Sequence, residues 1–420
     1  MSEILVGEVW VASGQSNMAW LVRNSDSGEE TIAAAGRGEY PMVKLFNVPP
    51  RGEDAPSDEV AAVWTSATEE AVASFSAVGF YFGAQLARDR SCPVGIIRSA
   101  VGGTNANSWI NTETYEKEEV GAVSREHWAR TVAAYPQAFE RWEKQVANWE
   151  AQRAAAREAE EPFTERRPRE PLGPTHMKRP SALYNGMIAP LQPYAIRGAI
   201  WYQGEGNSRE PFYPQYRDLM LALVEDWRSD WTEASGGAIE RYDFPFYIVQ
   251  LPNFAGGDPV GWPMIREQML RFWQEGENTG TVVAIDKGDA NDIHPRKKKP
   301  IGERLARFAR GMAYGESIVY SGPIFKDLQI EGPTAVVRFD HVGDGLAASD
   351  EKPLRHFEIA GADGEFVSAV AEIQGDVLRV SAEAVAEPRA VRYAWSNNPE
   401  GINFYNANGL PASPFRTDSW

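Results

Sequence analysis

Gly7-Glu8-Val9-Trp10-Val11-Ala12-Ser13-Gly14-Gln15-Ser16-Asn17-Met18 is an almost unbroken apolar run that closes in Gly and Gln and then presents a serine. A buried parallel strand delivers a nucleophile to the carboxyl edge of its sheet in this way. Ser16 is therefore the candidate nucleophile. A serine hydroxyl is weak near neutral pH and needs a base, an orienting acid and donors for an oxyanion.

Further strand signals follow at 42–48, 94–97, 196–202, 246–251 and 281–285. Between them, Phe75, Val78, Phe82 and Leu86 fall at helical spacing behind a serine cap at Ser74. Tyr216, Leu219, Leu223 and Trp227 give a second helical face, Met264, Gln268 and Phe272 a third, and Ile301, Leu305, Phe308 and Met312 a fourth, opened by Pro300. Alternating strands and helices of this length imply a parallel sheet with helices on both faces. From about Tyr320 the period becomes two, with alternating runs at 335–339, 356–359, 376–380 and 390–395. The spacing thus predicts a catalytic α/β domain over residues 1–317 and a smaller antiparallel β-domain over 318–420.

Residues 111–179 differ in kind, being charged and rich in Glu, Arg and Ala. Trp128, Val132, Tyr135, Phe139, Trp142, Val146 and Trp149 alternate steps of four and three, which is a heptad stripe. Pro136 lies inside it and is expected to kink the helix or split it in two. Three heptads favour a helical insertion on the main domain over a coiled-coil dimer interface, and its place in the chain suits a rim over the site.

The formal net charge is −17 and the pI near 4.9, which argues against nucleic acid or an anionic membrane as partner and against long-range steering of an anionic substrate. The single cysteine, Cys92, excludes a disulfide framework and a cysteine zinc cluster, and its apolar setting suggests burial. No apolar run reaches the length of a membrane span. As written, the chain reads as cytoplasmic. Met1-Ser2-Glu3 leads at once towards the first core strand, so export is expected if an upstream segment has been removed.

Of the five histidines, His127 lies in the insertion, His176 at its end, and His341 and His356 in the β-domain. His294 follows the last parallel strand, in Asp289-Ala290-Asn291-Asp292-Ile293-His294-Pro295, so its loop opens at the same sheet edge as Ser16. Pro295 holds His294 extended, and Asp292, two residues earlier, is placed to orient its ring. The Ser16 N–H is one oxyanion donor and Gly102 or Gly103 a second, since glycine lets backbone approach a ligand. A Gln203 or Asn207 amide in Trp201-Tyr202-Gln203-Gly204-Glu205-Gly206-Asn207 is the third.

Gly14-Gln15-Ser16-Asn17-Met18, Gly102-Gly103-Thr104 with Trp109, Leu183-Tyr184-Asn185-Gly186-Met187-Ile188, Trp201-Tyr202-Gln203-Gly204-Glu205 and Asp292-Ile293-His294-Pro295 occur in one order along the chain. This pattern resembles the sialate O-acetylesterase-like proteins, the carbohydrate-esterase branch of the SGNH/GDSL hydrolases. The resemblance implies a three-layer α/β/α (flavodoxin-like) hydrolase domain and metal-free, cofactor-free removal of O-acetyl groups from sugars. It puts the nucleophile on Ser16, the base on His294, and the oxyanion donors on Ser16, Gly102 or Gly103, and Gln203 or Asn207. Two departures bear on the site. The broader superfamily spaces its acid three residues before the histidine, where this chain has Asn291, and Asn207 stands where relatives usually carry a serine.

Asp292 is accordingly the expected acid, with Glu205 and Asp289 as alternatives and with Asn185 beside Glu205 as a candidate substrate contact. An acidic sugar substrate calls for a cation, for which Arg23, Arg98 and Arg296 are candidates. The rival readings are an acetylxylan esterase, a general short-chain esterase and a non-catalytic glycan-binding protein. Oligomeric state is not legible here.

Overall fold

The computed structural model describes residues 5–420; Met1-Ser2-Glu3, on which the expected upstream segment rests, lies outside the described residues. The opening apolar run forms β1 (Glu8–Gly14), the middle of a seven-stranded sheet. On one side lie β4 (Val94–Ala100) and β2 (Val43–Asn47), and on the other β5 (Gly198–Tyr202), β6 (Phe246–Val249) and β7 (Thr279–Val282), all parallel. β3 (Trp64–Ser66) adds an antiparallel edge strand to β2. Relative to the flavodoxin-like order, one further parallel strand, β4, stands between β2 and β1. The chain therefore crosses β1 between β4 and β5, and the loops after both neighbours converge above its carboxyl end.

The helices are α1 (Ser16–Ala19), α2 (Gly28–Gly36), α3 (Glu69–Ala73), α4 (Ala77–Arg90), α5 (Thr112–Lys117), α6 (Ala122–Glu158), α7 (Ala182–Met187), α8 (Tyr216–Ala234), α9 (Gly261–Glu275) and α10 (Lys299–Met312). The pleat sorts the aromatics between the two layers. Trp10 and Tyr247 face α4 and α10, meeting Phe82 at 5.1 Å and Phe308 at 5.0 Å. Trp201 and Phe246 face α8 and α9, meeting Trp227 at 6.3 Å and Phe272 at 6.4 Å. Each such buried ring stabilises the sheet by about 1.5–3 kcal/mol. The cap of α4 is Ser76, whose Oγ accepts from Gly79 N–H at 3.1 Å, whereas Ser74 closes α3. Cys92 is half-buried rather than buried.

Pro136 neither splits nor ends α6, which is helical throughout its 37 residues. Pro136 is exposed, so the carbonyl it leaves without a donor is free to meet water. The aromatic stripe is covered by the chain's own return. Trp142 Nε1 donates to Pro168 O at 3.1 Å and Trp149 Nε1 to Glu165 O at 2.9 Å, with Phe163 against Trp149 at 5.8 Å. The return segment thus lies against the aromatic stripe of its own helix. Among the described residues no helix is long and apolar enough to cross a membrane.

After α10 every pairing is antiparallel. β8 (Ile324–Glu331), β9 (Thr334–Asp340), β14 (Val377–Ser381) and β13 (Val370–Gln374) form one sheet. β12 (Val367–Ser368), β11 (Phe357–Ala360), β15 (Ala390–Tyr393) and β17 (Phe415–Arg416) form a second, with β10 (Leu346–Ala348) paired to β16 (Phe404–Asn406). Val283 and Ile285, just past β7, belong to the core of these sheets. The expected strand at 281–285 therefore ends early and hands its last side chains to the β-structure.

Arg266 of α9 completes the join. It is fully buried, and its guanidinium donates to Leu251 O, Pro252 O, Ser396 O and Asn397 O at 2.6–3.0 Å. Burial without a counter-ion lowers its pKa to about 9. Arg266→Met keeps much of the volume and strands these carbonyls. At about 1–3 kcal/mol for a buried acceptor left unpaired, we expect a loss of roughly 3 kcal/mol or more, read as a lower denaturation midpoint. A midpoint equal to wild type would show that the join is held elsewhere.

Candidate active site

Ser16 owes its position to a backbone that only glycine fits. Gly14 has φ +131°, and a Cβ there would lie 2.3 Å from Tyr202 O. The Gln15 N–H then donates to Tyr202 O at 2.9 Å, and Gln15 Oε1 accepts from Gly206 N–H at 3.2 Å. With β1 pinned to β5 in this way, α1 opens at Ser16, whose N–H has no partner within the helix. On the other flank Val101 N–H donates to Gly14 O at 3.1 Å and brings up the Gly102-Gly103 turn. A methyl on Gly102 would lie 3.4 Å from Ser16 Cβ. Thr104 Oγ1 stiffens this turn, donating to Val101 O at 3.0 Å and accepting from Trp109 Nε1 at 3.1 Å.

Asn17, the next residue, is fully buried and uses its whole amide. Nδ2 donates to Glu205 Oε1 at 2.5 Å and to Ile293 O at 3.0 Å, while Oδ1 accepts from Lys298 Nζ. The residue after Ser16 is thus bonded to the residue before His294. Trp20, at the other end of α1, stacks on the His294 ring with centroids 5.1 Å apart. Lys298 is 1% exposed, with Nζ 5.8 Å from the Trp20 ring centre and 5.4 Å from that of Tyr202. Burial lowers its pKa to about 7 against the pull of Glu205 and Asp292, and burial raises that of Glu205.

Asp292 Oδ1 accepts from the His294 backbone N–H at 2.8 Å and lies 3.8 Å from His294 Nδ1. It therefore fixes the loop and stands as the nearby carboxylate, one short side-chain movement from a hydrogen bond to the ring. Burial, and then the Lys298 cation, lower the His294 pKa, while Asp292 opposes them. The net direction keeps the imidazole neutral, as a base requires.

The remaining expected residues divide. Both Nε2 hydrogens of Gln203 are taken, by Thr104 O at 3.0 Å and Asn207 Oδ1 at 2.8 Å, so contrary to expectation its amide has no donor left for an oxyanion. Its role is to hold Asn207, whose Oδ1 also accepts from Ala106 N–H at 2.9 Å; Asn207 Nδ2 bonds only Asn107 Oδ1, at 3.5 Å. Glu205 is engaged with Asn17 rather than with His294. Asn185 stands apart from this cluster, its Nδ2 donating to Glu53 O at 3.2 Å. Arg98 is spent beneath α1, on Asn47 Oδ1 at 2.7 Å and Ala19 O at 3.3 Å, and Arg23 and Arg296 are exposed.

Lys298 escaped sequence reading because Arg296-Lys297-Lys298-Lys299 looks like a solvated run. Its spacing of three and seven from Ile301 and Leu305 is the signal that places it on the buried face. The assembled groups suit acyl transfer: a hydroxyl at a helix start, the backbone of the Gly102-Gly103 turn beside it, and an imidazole whose pKa is lowered with a carboxylate nearby.

No protein-family model matches the chain. It is 28% identical over 442 residues to the sialate O-acetylesterase of Mus musculus, covering 98% of this chain and 77% of the mouse protein. To that of Rattus norvegicus it is 29% identical over 447 residues, covering 98% and 78%. Among solved structures, a carbohydrate acetylesterase from Xanthomonas citri superposes with TM-score 0.80 at 33% identity, over all of this chain and 82% of that one.

With the His294 pKa lowered, the acid limb of kcat/KM should fall below the ordinary histidine value of about 6.5. Lys298→Met removes a cation that lowers it, so the limb should move to higher pH. A limb at unchanged pH in a folded Lys298→Met protein would refute this account of the base.

Proposed function

The chain belongs to the sialate O-acetylesterase-like carbohydrate esterases, and from that premise we propose that it removes O-acetyl groups from sugars by way of a Ser16 acyl-enzyme. The observation that carries the reading is the Asn17 clasp, which ties the neighbour of the nucleophile to the neighbour of the base at 3.0 Å. Ser16 Oγ attacks the acetyl carbonyl and His294 takes its proton. Asp292 orients the ring and stabilises the imidazolium. The oxyanion is met by the N–H groups of Ser16 and of Gly102 or Gly103, with the remaining Asn207 Nδ2 hydrogen completing the hole.

His294 then returns its proton to the sugar oxygen as the alcohol leaves. Water, deprotonated by the same imidazole, attacks the acetyl group and frees acetate and Ser16. In this reading the hydrolase part is an SGNH-type unit over residues 1–317, and the β-domain of 318–420 is its support.

Ser16→Ala and His294→Ala should each lower acetate release from an acetylated sugar by about four to six orders of magnitude. Asp292→Asn should cost less, because its carboxylate lies 3.8 Å from Nδ1 rather than in a hydrogen bond. Turnover by Ser16→Ala near that of wild type would rule the mechanism out.

A further inference from the structure

Gly103 is exposed, with φ +67°, and follows Gly102, where an added Cβ would lie 3.4 Å from Ser16 Cβ. A methyl in place of its hydrogen would lie 3.4 Å from Lys178 Nζ. An ammonium therefore stands against the outer edge of the turn whose inner edge touches Ser16. Lys178 ends the return segment of the helical insertion, and its backbone is held on both sides. Ser108 Oγ donates to Lys178 O at 2.8 Å, and Lys178 N–H donates to His176 Nδ1 at 3.0 Å. Together with Asn107, His127, Trp128 and Phe212, it lines a cleft that starts at Gly103.

The cations around this cleft are not equivalent. Arg179 is paired with Asp54 at 2.5 Å, and Arg167 lies over the Trp142 ring. Among the described residues Lys178 Nζ has no carboxylate partner. Burial and Arg169 both disfavour its charge, and no acid offsets them. A half-buried ammonium without a counter-ion attracts an anion more strongly than a solvated one. The net charge of −17 makes this local cation matter more, because the molecule's long-range field repels an acidic substrate.

Resting on the O-acetylesterase reading, we infer that Lys178 is a specificity-determining residue that binds a carboxylate carried by the sugar whose acetyl group is removed. In sequence the candidates for this role are Arg23, Arg98 and Arg296. The role falls to a lysine of the insertion, which makes that insertion one wall of the substrate site. The cleft's aromatic rings, Trp128 and Phe212, suit the apolar face of a sugar ring.

The test compares acetate release from an O-acetylated sugar acid and from its methyl ester, which differ only in the carboxylate. Wild type should favour the free acid. Lys178→Gln should lower the ratio of kcat/KM for acid over ester by roughly 10- to 100-fold, mainly through KM, as expected for losing a charge-assisted contact. Lys178→Arg should restore most of it. An unchanged ratio in a folded Lys178→Gln protein, or a wild type that favours the ester, would overturn the assignment. Acetate released from neither compound by wild type would instead overturn the esterase reading, and this inference with it.

Discussion

Asn17 is the point on which the site turns. Its amide holds Glu205, Lys298 and the Ile293 carbonyl at once, and those groups arrive from two segments of chain far from it in sequence, the loop after β5 and the loop that leads into α10. A buried polar network is costly when partly satisfied and rigid when complete. Asn17 completes its share, while Glu205 Oε2 is buried without a hydrogen-bond partner. The opposite charges of Glu205 and Lys298 lie on either side of one amide, with burial pushing both towards neutrality. The loop bearing His294 is thereby anchored through its backbone, and Trp20 sets the plane of the ring from the opposite end of α1.

Two outer parts of the molecule frame this centre. The β-structure grips the loop after β6 through Arg266 and through Asn253 Nδ2, which donates to Asn398 Oδ1 at 2.9 Å. The same Asn253 accepts from Gly288 N–H at 3.1 Å, so the grip reaches the segment that leads to His294. The helical insertion acts from the other flank. Residues 163–173 return along the aromatic stripe of its long helix, and the return ends beside the Gly102-Gly103 turn.

Much of the architecture was legible because burial imposes a period. The run at β1 and the stripes of α8, α9 and α10 state which face is inside, and they led to the layers observed. What failed did so locally. Ser74 and Ser76 are both plausible caps, and only the hydrogen bond to Gly79 distinguishes them. Pro136 breaks a helix only where the freed carbonyl cannot reach water, and exposure is not written in the sequence. Gln203 reads as a donor until its two hydrogens are seen to be taken by Thr104 and Asn207.

The sequence by itself determined the alternating α/β frame, the β-structure that follows it, and the loops that present Ser16 and the Asp292-Ile293-His294 string at one sheet edge. Periodicity and turn chemistry are local, and each residue carries its share of them. Only the tertiary structure decided that Asn17 clasps Ile293, that Lys298 is buried while its basic neighbours are not, and that Lys178 meets Gly103. Those facts depend on which groups 70 to 280 positions apart come within a few ångströms. Hydrogen bonds and ion pairs act over that short range, and only the packed core sets it.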